Sequence, residues 1–133
     1  MRRRSVWCVA LLVAFLALGG ACLAAEYMGT RISIAPLVVN GALVPDQVTD
    51  ARVVELLGAV SSEVGAKSLY WRNNRGGSGR PILYVGTFGE IELNGKWRIP
   101  RIPLKIGRNE IKVTVVPLKG KPVTELTVIH RTN

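Results

Sequence analysis

The sequence predicts a small α+β domain, mainly β, with one amphipathic helix packed on a twisted antiparallel sheet of short strands. Three observations lead to this fold class. Apolar and polar residues alternate in several short stretches, which is typical of half-buried strands. Asn-Gly pairs at Asn40-Gly41 and Asn94-Gly95 separate apolar arms, as tight hairpin turns do. A single stretch, Asp50 to Val64, places apolar residues at steps of three and four, the period of a helix.

The first 25 residues have the tripartite pattern of an export signal. Three arginines, Arg2 to Arg4, precede an apolar run from Val6 to Leu18, and small residues follow. Because signal peptidase accepts small side chains, cleavage is expected after Ala24 or Ala25. Residues 1–25 are therefore predicted to be a signal peptide and residues 26–133 a single small β-rich domain.

Two alternatives to simple cleavage stay open. An uncleaved leader is about long enough to span a bilayer, and a lipid on Cys22 would also attach the chain to a membrane. Lipoprotein signals prefer leucine three residues before the cysteine, and this chain has Gly19 there. Both cysteines, Cys8 and Cys22, lie in the leader, so the mature domain is expected to have no disulfide.

Charge is distributed unevenly along the chain, whose formal net charge is +9. Residues 26–66 hold two basic and five acidic side chains, whereas residues 67–133 hold thirteen basic and four acidic ones. Such asymmetry favours a basic surface that faces an anionic partner, although basic surfaces without such a partner also occur.

The helix is expected from Asp50 to Val64. Thr49 or Asp50 can cap its first turn, and Gly65 can end it. Its apolar stripe consists of Val53, Leu56, Leu57, Val60 and Val64.

Short strands are expected on both sides of the helix. A mobile loop from Asn73 to Arg80 follows the strand that carries Trp71, which is expected in the core. Pro100 and Pro103 indicate an edge or a crossover. The strands after the helix are predicted at Ser68–Arg72, Ile82–Phe88, Glu90–Leu93, Lys96–Ile99, Glu110–Val115 and Val123–Arg131.

The segment from Leu37 to Trp71 resembles the copper amine oxidase N-terminal-like domain, also called the stalk domain. The shared features are an Asn-Gly hairpin, then Glu63-Val64-Gly65-Ala66, then a strand ending in Trp71. The resemblance implies a hairpin, a helix and a strand in that order. The family's usual Val-Pro-Leu-Arg before the helix is replaced here by Val54-Glu55-Leu56-Leu57.

The segment from Leu104 to Arg131 resembles the closing hairpin of cadherin-like and bacterial Ig-like modules. Those modules have Leu-x-x-Gly-x-Asn-x-Ile-x-Val-x-Val, matched here from Leu104 to Val115, and then a second strand, where Leu126 replaces the usual Tyr. Both resemblances imply a non-catalytic module of a bacterial envelope protein.

Few residues of the chain are candidates for catalysis or for metal binding. His130 is the one histidine of the chain; it shares the predicted inward phase of Leu126 and Val128, so a strand-end or partly buried histidine is expected and not a catalytic base. Without a mature cysteine or a second histidine there is no Cys/His or Ser/His/Asp set and no zinc cluster. The sequence therefore predicts a protein that is not an enzyme and that has no cofactor and no metal site.

Rings and guanidinium groups suggest a binding function instead, because rings can stack on sugars and guanidinium groups fork onto carboxylate or phosphate. The partner predicted is an anionic envelope polymer, and the location is secreted or in the cell envelope. Docking of another envelope protein on a β-sandwich module is the alternative. A nucleic-acid partner fits the charge but not the export signal. The candidate ligand-binding residues are Tyr70, Arg72, Arg75, Arg80, Arg98, Arg101 and Arg108.

Overall fold

The structure is a computed structural model that describes residues 23–133, and in it two five-stranded sheets pack face to face. Residues 1–22 of the predicted leader lie outside the described residues, whereas Leu23 to Ala25 belong to the first strand. A 3-10 turn spans Pro45–Gln47. The strands are β1 (Leu23–Tyr27), β2 (Thr30–Ile34), β3 (Val38–Val39), β4 (Ala42–Leu43), β5 (Val48–Thr49), β6 (Val53–Ser62), β7 (Ala66–Asn73), β8 (Ser78–Gly79), β9 (Ile82–Val85), β10 (Leu93–Pro103), β11 (Gly107–Pro117) and β12 (Val123–Arg131).

The strands form a sandwich whose chain crosses repeatedly between the two layers. Sheet 1 has the order β1-β2-β6-β10-β9, and sheet 2 has the order β5-β12-β11-β7-β8. Within the sheets every pair is antiparallel except β12 with β5, which is parallel. The hairpin of β3 and β4 stands apart from both sheets. Since a strand sends alternate side chains to opposite sides, each sheet has an inner face toward the core and an outer face.

The described residues contain no α-helix, so the predicted helix from Asp50 to Val64, and with it the α+β fold class, is wrong. Most of that stretch forms β6, the central strand of sheet 1, which pairs with β2 and β10. The same residues fit both periods: the strand buries Val54, Leu56 and Val60, and it leaves Leu57 of the predicted stripe exposed. Hydrogen bonding on both sides of β6 decides between the periods, because a strand flanked by two partners satisfies its backbone groups.

Gly58 allows β6 to pack closely against its neighbours in sheet 1. Gly58 lies opposite Trp97 of β10, and a Cβ added to it would overlap the Trp97 indole and the carbonyl oxygen of Ser33. Trp97 is 0% exposed, and its Nε1 donates a hydrogen bond to the carbonyl oxygen of Ala59 at 3.2 Å. The fully buried indole of Trp97 therefore occupies the space that Gly58 leaves free.

Both sheets contribute to one continuous core. Trp71 is buried there, which confirms its predicted place, but it packs under a sheet and not under a helix. The core side chains include Ile32, Ile34, Leu56, Val60, Leu93 and Ile99 from sheet 1, and Leu69, Ile111, Val113, Val115, Val123 and Ile129 from sheet 2.

The two Asn-Gly pairs have different structures. Asn40 and Gly41 join β3 to β4 with φ values of 53° and 80°, so the predicted turn is confirmed. Asn94 and Gly95 lie inside β10, so the predicted second turn is wrong. A Cβ at Gly95 would overlap the carbonyl oxygen of Val85, which means that glycine is needed there for close strand approach and not for a turn.

A buried asparagine joins one loop and two strand ends at one end of the sandwich. Asn109 of β11 is 0% exposed, and its Oδ1 accepts hydrogen bonds from the Lys105 amide at 2.9 Å and from Nδ2 of Asn73 at 3.2 Å. Its own Nδ2 donates to the carbonyl oxygens of Lys105, Gly107 and Ile129 at 2.8, 3.0 and 3.3 Å. The Asn109 side chain thus fixes the β10–β11 connection, the end of β7 and the end of β12 against one another.

Replacing Gly58 with alanine tests the strand assignment directly. In a helix the change would stabilise the protein by about 1 kcal/mol, because alanine is the better helix former. In β6 we expect the free energy of unfolding to fall by about 1–3 kcal/mol, since the new methyl group overlaps Trp97 and Ser33. Urea unfolding of the Gly58→Ala variant measures the sign, and Gly79→Ala, on the short edge strand β8, is the milder control. A stabilised Gly58→Ala protein would contradict the structure.

Replacing Asn109 with alanine should lower the free energy of unfolding by about 2–4 kcal/mol, because several backbone groups lose their partner inside the protein. Asn94→Ala is the matched control, since Asn94 is exposed on β10. Chemical denaturation of both variants measures the difference. Equal stability of the two variants would show that Asn109 does not hold the loops together.

Candidate functional site

Four basic side chains converge on sheet 2, and we call Arg72, Arg75, Arg108 and Lys112 the basic patch. Arg72 on β7 lies directly opposite Lys112 on β11, and both are exposed. Arg75, in the turn after β7, donates from Nη1 to the carbonyl oxygen of Arg108 at 3.3 Å. Strand pairing therefore gathers cations that lie up to forty positions apart in the sequence.

One acidic side chain lies inside the patch. Glu110 accepts a hydrogen bond at 2.9 Å from Nε of Arg108, which neutralises one of the four cations. Within residues 23–133, Arg72, Arg75 and Lys112 form no ion pair. The basic patch thus carries an excess of three positive charges toward solvent.

The turn that carries Arg75 is anchored on β11. The Asn74 amide donates to the Glu110 carbonyl oxygen at 3.0 Å, and the Glu110 amide donates to Asn74 Oδ1 at 2.8 Å. The Arg75 amide in turn donates to Oδ1 of Asn73, and Nδ2 of the same side chain donates to Oδ1 of the buried Asn109. Arg75 is therefore held beside Arg108 by the same amide network that joins the loops.

Two residues of sheet 2 border the patch. Tyr70 lies two residues before Arg72 on the outer face of β7 and is 43% exposed. His130 of β12 lies opposite Arg108 and is exposed, so its predicted inward phase is wrong, although it does lie at the end of a strand. The phase explains the error, because the inner positions of β12 are the odd-numbered ones from Val123 to Ile129.

The remaining predicted binding residues are not brought into the patch. Arg98 lies on the outer face of sheet 1, where its Nε is 3.6 Å from Oε2 of Glu55. Arg101 lies in β10 where the register against β6 shifts, and Arg80 lies in the connection between β8 and β9. The structure thus groups Tyr70, Arg72, Arg75 and Arg108 and separates Arg98 from them by the thickness of the sandwich.

A cavity of about 400 Å³ opens on the outer face of sheet 1, and we call it the outer cavity. Its floor is formed by β2 and β6, one wall by the hairpin of β3 and β4, and the other by β9 and β10. The residues that line it include Asn40, Glu55, Leu57, Ala59, Tyr84 and Lys96.

Sequence reasoning missed the outer cavity because it placed its floor in a helix. In a helix Leu57 would lie on the side opposite to Glu55 and Ala59, whereas in β6 all three share the outer face. The alternation of Val54, Leu56 and Val60 with those three residues was the signal that could have revealed it.

The described part of the chain has neither a metal-binding cluster nor a membrane-spanning helix. Among residues 23–133, no group of three or more His, Cys, Asp or Glu side chains is placed to hold a metal ion. The same residues include no helix with the length and apolar character needed to cross a membrane.

Comparison with known proteins gives no relative for this chain. No family model matches the sequence, no curated protein matches it, and no solved structure matches the fold.

Proposed function

We propose that this chain is an exported, envelope-associated binding module without catalytic activity, and that its basic patch holds an anionic envelope polymer. The observation that carries the proposal is the convergence of Arg72, Arg75 and Lys112 on one exposed surface with an excess of positive charge. The leader pattern supports export. The resemblance of the segments from Leu37 to Trp71 and from Leu104 to Arg131 to modules of bacterial envelope proteins supports the location.

The patch has the geometry that a charged polymer requires. Neighbouring strands lie about 4.8 Å apart, and side chains on one face repeat about every 7 Å along a strand. Arg72 and Lys112 therefore present cations at a fixed spacing, and Arg75 extends the row toward Arg108. A guanidinium group binds carboxylate or phosphate oxygens through two parallel hydrogen bonds, so either type of polymer can be held.

The affinity should depend strongly on salt, because exposed charges bind mainly by releasing counterions from the polymer. With three free cations, the logarithm of the binding constant should fall with the logarithm of salt concentration with a slope of about two to three. Nucleic acid would show a similar slope, and the export signal argues against it as the partner.

Docking of another protein is the second candidate function. β10 pairs with β6 along its length but with β9 only from Lys96 to Arg98, so its end near Pro100 and Pro103 is open on one side. Prolines cannot donate to an added strand, so a partner there would bind through side chains and not by extending the sheet.

Charge reversal in the patch tests the proposal. We expect the Arg72→Glu/Arg75→Glu variant to lose most of its binding to isolated envelopes at low salt, because two free cations become anions. The matched control is Lys119→Glu/Lys121→Glu, which changes the net charge equally in the β11–β12 turn, at the other end of β11 from Arg108.

Sedimentation with envelopes across a salt series measures the effect, with circular dichroism to verify that both variants fold. Equal loss in both variants, or binding that persists at molar salt, would show that the patch does not select the polymer. Stronger binding to DNA than to teichoic acid, lipopolysaccharide or peptidoglycan would favour the nucleic-acid alternative.

A further inference from the structure

We propose that the outer cavity binds a sugar ring that carries a carboxylate, as a unit of the polymer that the basic patch attracts. This inference rests on the proposed function and names the class of sugar. The cavity volume of about 400 Å³ falls within the range of small-molecule sites, roughly 300–1,000 Å³.

The floor and one wall suit the apolar side of a sugar ring. Leu57 and Ala59 of β6 present a shallow apolar floor, and Tyr84 of β9 is 51% exposed at its edge. The C–H groups on the side of a pyranose pack on such surfaces, and a tyrosine ring covers a large apolar area while losing little conformational freedom. Across the cavity stands Asn40, at the tip of the β3–β4 hairpin, with donor and acceptor atoms for ring hydroxyl groups.

The rim selects a negative charge. Glu55 is engaged by Arg98 at 3.6 Å, whereas Lys96 has no ion pair within residues 23–133. These three residues leave one positive charge at the mouth, and its ammonium group can meet the carboxylate of a ring stacked near Tyr84. A neutral apolar ligand would leave both Lys96 and Asn40 without a role at the site.

The outer cavity and the basic patch lie on opposite faces of the sandwich, since one belongs to sheet 1 and the other to sheet 2. A short saccharide in the cavity therefore does not reach Arg72 or Arg75. Binding at the two places can be measured separately.

Titration of the exported, purified protein with tetragalacturonate, followed by amide NMR shifts, tests the proposal. We expect shifts concentrated at Asn40, Leu57 and Ala59, and little effect from maltotetraose or inorganic phosphate at the same concentration. Tyr84→Ala and Lys96→Gln should each weaken binding at least about tenfold. Their controls, Tyr27→Ala and Lys119→Gln, remove the same groups at exposed positions outside the cavity lining and outside the basic patch, and should leave the Kd unchanged.

Three results would overturn the assignment: equal binding of maltotetraose, shifts confined to the basic patch, or equal losses in the variants and their controls. The Arg72→Glu/Arg75→Glu variant separates this inference from the proposed function. If it binds envelopes normally while tetragalacturonate still occupies the cavity, the role of the patch fails and the saccharide site stands. If the variant no longer binds envelopes and tetragalacturonate does not bind in the cavity, the role of the patch stands and the saccharide site fails.

A different observation carries a second inference, which concerns the N-terminus of the mature chain. β1 pairs with β2 in continuous register from Leu23 opposite Ile34 to Tyr27 opposite Thr30. Met28 and Gly29 close this hairpin with φ values of 52° and 80°. Cleavage after Ala25 would leave only two residues of the strand and would remove the Leu23 to Ala25 part of the pairing.

We infer that the mature chain keeps β1 whole, so that any cut lies before Leu23. Signal peptidase prefers an Ala-x-Ala-like pattern of small residues before the cut. Gly19 and Ala21 also provide this pattern, so a cut after Ala21 is expected. An intact β1 covers β2, which otherwise becomes an open sheet edge that invites pairing with other chains.

Mass measurement of the protein recovered from the envelope and the medium of cells that express the full chain tests this inference. We expect a first residue at or before Leu23, and an uncleaved chain would also retain the strand. A mature protein that begins at Ala25 or Glu26 would overturn it.

Discussion

The side chain of Asn109 is the contact on which one end of this sandwich depends. It joins the β10–β11 connection, the end of β7 and the end of β12 from a fully buried position. An amide can do this because it offers both donors and acceptors, whereas a carboxylate would only accept and would bring a buried charge. Arg75 and Arg108 are exposed, but the backbone that places them is fixed by this buried polar network.

The Leu-x-x-Gly-x-Asn pattern that resembles sandwich modules acquires a physical explanation here. Gly107 has a φ of 101°, which favours glycine, and its carbonyl oxygen accepts a hydrogen bond from Asn109. Leu104 is buried at the start of the same segment. The pattern therefore encodes how a loop closes onto a sandwich, and it predicts architecture without predicting a ligand.

The sequence allowed the closing strands to be predicted because their alternation is unambiguous: β12 has the predicted bounds, Val123 to Arg131. It failed at β6 because apolar residues occupy positions on both faces of that strand, which mimics a helical stripe. Leu57 is apolar and yet lines an outer cavity, so local pattern could not separate core from site. Local pattern also fails at Asn94-Gly95. The pair is typical of a turn, but Gly95 is needed for the close approach of two strands.

The sequence showed which basic residues were candidates for binding, but it could not show which of them share a surface. Alternation shows that Arg72 and Arg98 each point away from a core, and it cannot show that they point in opposite directions. That fact depends on which strands pair, and pairing places Arg72 beside Lys112 in sheet 2 and Arg98 beside Glu55 in sheet 1. The two-layered fold therefore divides the cations of residues 67–133 between two surfaces: a row on sheet 2 that includes Arg72 and Lys112, and Lys96 with Arg98 beside the outer cavity on sheet 1.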